Sequence, residues 1–213
     1  MSDRPDDKAG EQLRPAIPLL GKIGYSFFLF ALIPPYLASY GPANFLWFCN
    51  IALLVTLAAL WLESSFLASM QLVAIFLGQL FWIADFLSRL VTGVFLTRMT
   101  VYMFREDIPL FLRLLSLYHI WLPFLLLWMV WRLGYDSRAW LAQCLLAWAV
   151  LPICFFYTDP VRALNGVFGP SGEHPQQWLP PWLFLILVML FYPVCLYLPS
   201  HLVFRALFHR RPT

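Results

Sequence analysis

The chain has 213 residues, of which 62% are hydrophobic and 12% charged, and it carries a net charge of +3. A soluble domain has about 25% charged residues, so this composition excludes a water-soluble globule and points to an all-α, polytopic bundle of membrane helices. The basic residues are scattered singly and form no patch, so no nucleic-acid partner is expected.

Residues 1–16 are polar and mixed in charge, and read as a disordered tail. The apolar segment that follows lacks a small-residue cleavage site, so it is expected to stay as a helix. Residues 17–208 form a single transmembrane helical domain, and residues 209–213 a basic tail. Apolar runs over 18–39, 44–62, 64–87, 109–131, 139–158 and 178–204 are each close to the ~20 residues of a bilayer crossing. The second and third are parted by Glu63 and Ser64 alone, which predicts a tight hairpin. The last contains Pro193 and Pro199, and a kink is expected near Pro193 because proline removes a backbone donor and crowds the previous turn.

Two stretches do not read as crossings. Residues 90–104 mix apolar side chains with Thr92, Gly93, Thr97, Arg98 and Thr100, which suits a helix lying in the interface better than a short re-entrant element. Residues 159–177, the longest loop, are rich in Gly and Pro and carry Asn165, Glu173 and His174. A loop of that length is either a functional element or a solvated connector.

Six crossings put both termini on one side. That side holds Arg4, Lys8, Arg14, Lys22, Arg132, Arg138, Arg205, Arg210 and Arg211, nine basic residues against the five of the other side, Arg89, Arg98, Arg105, Arg113 and Arg162. The bias predicts cytoplasmic termini.

In a membrane protein the informative residue is the expensive one, a polar side chain inside a span. Cys49 and Asn50 lie about 8 Å into the second span, His119 about 15 Å into the fourth and Asp85 near the end of the third, at 1.5 Å per residue. Crossing parity brings all four to the non-terminal half, where the loop with Asn165 closes over them. One polar pocket is expected there. Each residue also has a plainer reading. Asp85 has Arg89 four residues on, Asn50, Gln71 and Gln79 suit inter-helix hydrogen bonds, and a histidine in a span often bonds a helix carbonyl.

Cys144, Cys154 and Cys195 read as small core residues, and the cysteine spacing gives neither a metal site nor a disulfide framework. Two-histidine haem ligation fails because His201 lies toward the opposite end of the bundle from His119. No cofactor is expected.

The runs Phe48-Cys49-Asn50-Ile51-Ala52-Leu53-Leu54, Leu117-Tyr118-His119-Ile120, Leu164-Asn165-Gly166-Val167-Phe168 and Leu179-Pro180-Pro181-Trp182 follow an order that resembles the YwaF-type six-helix membrane proteins. Gly166 stands where that family has tyrosine, and Trp47 and Phe48 precede Cys49 where it has histidine. The resemblance extends distantly to the androgen-induced fatty-acid-ester hydrolases, and it implies a lipid-acyl reaction that uses an intramembrane nucleophile and histidine.

Taken together, these features predict a lipid-acyl hydrolase or acyltransferase in a bacterial inner membrane. Cys49 is the nucleophile and His119 its base, because a thiol with a reference pKa of about 8.5 needs a neighbouring imidazole to lose its proton in apolar surroundings. Asn50, Asp85 and Asn165 orient the pair or the substrate. The alternative is a non-catalytic auxiliary or scaffold subunit of a membrane complex, with lipids and other membrane-protein subunits as its partners.

Overall fold

Apolar runs with few charges leave the backbone no partner but itself, so each closes its hydrogen bonds as a helix. A computed structural model describes residues 17–170 and 175–208. Both tails, with Glu173 and His174 of the long loop, lie outside those residues. The helices are α1 (Leu19–Tyr40), α2 (Phe48–Trp61), α3 (Ser65–Thr92), α4 (Leu110–Leu115), α5 (Tyr118–Leu133), α6 (Ala139–Tyr157), α7 (Pro181–Phe191) and α8 (Leu198–Phe208). Short 3-10 turns precede α2 at Pro42–Leu46 and α4 at Val101–Phe104, and there is no strand among the described residues.

α4 and α5 make one interrupted span, Leu110–Leu133, and α7 and α8 another, Pro181–Phe208. With α1, α3 and α6 they give, among the described residues, five helices long and apolar enough to cross a membrane. The chain is a multi-pass membrane protein. The expected kink near Pro193 takes the form of a π-helical stretch, Tyr192–Tyr197, between α7 and α8. A proline's missing donor and its clash with the turn before are relieved by that wider winding.

α2 departs from its predicted bounds. Its 14 residues rise about 21 Å, short of the ~30 Å hydrocarbon core. The expected start at residue 44 falls instead in 3-10 turns, because Pro42 and Asn44 break into the apolar run there. Irregular backbone at that depth needs partners supplied by protein.

Hydrogen bonds between ends fix how the helices alternate. At the terminal end, Glu63 in the α2–α3 turn accepts from the Ile17 backbone N–H at 3.2 Å and from Lys22 Nζ at 2.7 Å. There too the Asp136 N–H donates to Ser69, and the Tyr135 hydroxyl meets His201 Nδ1 at 2.8 Å. At the far end α1 meets α4 through Tyr36 and Ser116, and the loop after α6 meets the start of α2 through Asn165. Leu29, Leu32, Leu53, Leu72, Leu122, Leu126 and Met129 fill the middle, each at most 2% exposed. Phe27, Phe30, Leu145, Trp148 and Phe156 cover the outside, where lipid is their solvent.

Candidate functional site at the far end

An α-helix begins with backbone N–H groups that have no intrahelical acceptor. α2 begins at Phe48 with no cap from its own neighbourhood. Asn165 supplies one from 117 residues away: its Oδ1 accepts from the Phe48 N–H at 3.0 Å. Its Nδ2 donates to the Leu46 carbonyl at 2.8 Å and lies 3.5 Å from Cys154 Sγ. Asn165 has φ +51°, a left-handed conformation that asparagine tolerates better than most residues, and the Tyr192 hydroxyl holds its carbonyl at 3.2 Å. Asn50 does similar work within the first turn of α2. Its Nδ2 donates to the Asn44 carbonyl at 2.8 Å, and its Oδ1 accepts from the Tyr118 hydroxyl at 2.8 Å.

Tyr118 is in place because α4 and α5 join through i→i−3 bonds, with Leu117 N–H on Leu114, His119 N–H on Ser116 and Ile120 N–H on Leu117. Those tighter turns wind at about 120° per residue instead of 100°, and Tyr118, 1% exposed, points into the core. Cys49 lies beside the Tyr118 hydroxyl, with Tyr36, Tyr102 and Tyr192 around it. Tyr36 donates to Ser116 Oγ at 2.6 Å while the Ser116 hydroxyl bonds the Leu112 carbonyl.

His119 is turned elsewhere. Its ring stacks on Trp82 of α3 with centroids 4.8 Å apart, and its Nδ1 contacts the Ser116 carbonyl at 2.6 Å. A carbonyl only accepts, so Nδ1 carries the proton. The expected Cys49–His119 hydrogen bond is absent among the described residues. One step along a helix turns a side chain by about 100°, and here that step gives Cys49 a tyrosine as its neighbour and leaves the histidine against α3.

Asp85 holds a third arrangement. Wholly buried, its Oδ1 accepts from the Thr97 and Arg98 backbone N–H groups at 2.6 and 3.1 Å. Its Oδ2 accepts from the Thr100 N–H and hydroxyl at 2.9 and 2.6 Å. Arg89 does not pair with it; the guanidinium donates to the Gly93 carbonyl and lies over the Phe95 and Phe104 rings. α3 thus runs on to Thr92, Gly93 closes it in the left-handed conformation, and residues 93–104 fold back as compact turns where a helix along the interface was expected. The fold-back carries Tyr102 to Ser116, Trp82 and Cys49, and burial pushes its phenol well above the ordinary tyrosine range.

Of the residues expected to share one pocket, Cys49, Asn50 and Asn165 lie together at the start of α2, Asp85 ties down the loop above, and His119 is turned against α3. Sequence reasoning missed Tyr36, Trp82, Tyr102, Ser116 and Tyr118. A buried tyrosine needs a hydrogen-bond partner, and Tyr36 and Tyr118 carried that signal by lying within apolar runs. No protein-family model, curated protein or solved structure matches the chain.

Proposed function

We propose that the chain is a non-catalytic, multi-pass subunit of a membrane complex, whose far-end polar core fixes the register of its helices. The observation that carries this reading is where the reactive groups go. The amides of Asn50 and Asn165 are committed to backbone and tyrosine partners, and the His119 proton is committed to Ser116. Cys49 is left with the Tyr118 hydroxyl. A phenol, with a reference pKa of about 10, is a weaker acid than a thiol at about 8.5, and a neutral phenol does not accept the thiol proton as an imidazole does. The lipid-acyl hydrolase or acyltransferase reading therefore lacks its base. Localisation in a bacterial inner membrane with cytoplasmic termini rests on the family resemblance and on the nine-to-five basic asymmetry. Lipids and other membrane-protein subunits are its partners.

Labelling the detergent-purified protein with a long-chain acyl electrophile tests this reading. The expected outcome is that Cys49 reacts no faster than buried Cys144, and that Cys49→Ala leaves the melting temperature within about 2 °C, a change of under ~1 kcal/mol for a chain of this size. Stoichiometric, rapid acylation of Cys49 that is lost in His119→Phe would overturn it in favour of the enzyme.

A further inference from the structure

The outer surface of the bundle carries a groove at its terminal end. It runs between the start of α3 and the first turns of α6, is lined by Phe66, Leu141, Ala142 and Leu145, and has a volume of about 330 Å³. Ala142 leaves the recess, because only a methyl group stands there between two leucines that are 56% and 57% exposed. Leu145 lies six residues beyond Ala139, the first residue of α6, so the groove descends about 9 Å along the helix towards the middle of the bilayer. One charge stands at its rim, that of Arg138.

Arg138 is held in position there. Its Nε donates to Asp136 Oδ1 at 3.1 Å and its Nη2 to Oδ2 at 2.7 Å, while the guanidinium lies over the Phe66 ring at 5.7 Å. Asp136 is fixed in turn by its own N–H on Ser69 and by accepting from the Arg138 N–H. Nη1 takes no part in that fork, and the Arg138 side chain is 80% exposed. A guanidinium set in place beforehand loses less freedom when it binds. The surroundings are electropositive: among the described residues this end has Lys22, Arg132, Arg138 and Arg205 against Glu63 and Asp136. The positive end of the α6 dipole adds to the same field.

We propose that the groove is a phospholipid site, in which the phosphate takes Nη1 of Arg138 and one acyl chain lies against Phe66, Leu141, Ala142 and Leu145. A cation at the membrane surface above an apolar channel matches an amphiphile with an anionic head. A partner's helix fits less well, because over the same 9 Å a helix 10–12 Å wide fills roughly 700–1,000 Å³. Both leaflets present phosphates, so the site does not depend on which face is cytoplasmic, nor on whether the protein catalyses anything.

Native mass spectrometry of the full-length protein in detergent, titrated with phosphatidylglycerol, tests the site. Wild type is expected to bind a first lipid at least about tenfold more tightly than the next, a difference of ~1.4 kcal/mol. Arg138→Gln removes the charge, and Ala142→Phe fills the recess without touching the ion pair. Each should weaken the first lipid about tenfold. Arg132→Gln, which removes a cation outside the groove, should leave it unchanged. Should Arg138→Gln fail to fold, Ala142→Phe and Arg132→Gln carry the comparison. Successive lipids of equal affinity in wild type, a first lipid unmoved by either groove variant, or an equal loss in Arg132→Gln would overturn the proposal. So would a dimer that Ala142→Phe dissociates, since the groove would then be a contact between two copies.

Discussion

A primary amide accepts at one atom while it donates from another, and the far end of the bundle relies on two. Asn165 joins the first N–H of α2 to the last carbonyl of the turn before it, and Asn50 ties Asn44 to Tyr118. Replacing Asn165 by leucine strands both a donor and an acceptor away from water, at a cost of about 1–3 kcal/mol for each group. The expected result is a melting temperature several degrees lower, together with faster amide exchange at Phe48. Aspartate at the same position keeps the acceptor but sets a carboxylate oxygen against the Leu46 carbonyl, and should be no better than leucine. Asn50 and Asp85 were legible in the sequence as costly residues inside spans, and Asn165 as part of the loop that closes over them. Their partners were not, because Asn165 meets Phe48 across 117 positions and no local pattern records such a contact. The choice between Tyr118 and His119 hung on the phase of one tightened turn, which hydropathy does not encode.

At the level of elements, apolar runs gave the number and order of the helical segments, since twenty apolar residues in lipid have few alternatives to a helix. Boundaries were less visible wherever the chain stays apolar while the backbone turns, as before α2 and after α3. The loop after α3 is held by one carboxylate with four donors, and charge-assisted bonds of that kind are about twice as strong as neutral ones. Asp85→Asn keeps the shape, but its NH₂ group must face donors on one side. The variant should release residues 93–104, read as new tryptic cleavage after Arg98 or Arg105 in protein held in detergent micelles. Unchanged resistance to trypsin would mean that aromatic packing of Phe86, Phe95 and Phe104 is sufficient to hold the loop.

Across the whole molecule the two ends differ in kind. The terminal end is closed by charge: Lys22 and Glu63 pair at 2.7 Å with side chains 10% and 25% exposed, and the Trp61 indole bonds Ser26 beside them. Among the described residues the far end has no ion pair of that kind: neutral hydroxyls and amides close it around α2, and the Asp85 carboxylate is met by backbone N–H groups and a threonine hydroxyl. A reporter fused after Thr213 and another inserted within residues 169–174 are expected on opposite faces of the membrane, with the terminal one in the cytoplasm. Reporters on the same face would remove one crossing and place α2 outside the alternating array.

The cap on α2 also has a consequence for how the protein is made. A ribosome adds about 5–20 residues per second, so the 117 positions between Phe48 and its acceptor take roughly 6 to 23 seconds to synthesise. During that interval the second helix enters the membrane with its first N–H and the Leu46 carbonyl unmatched, too short to span unaided. It has to wait at the insertion machinery or in the interface until residue 165 emerges. Nascent chains stalled before residue 165 should therefore expose a cysteine placed at Asn44 to aqueous reagents, and chains stalled after α7 should protect it.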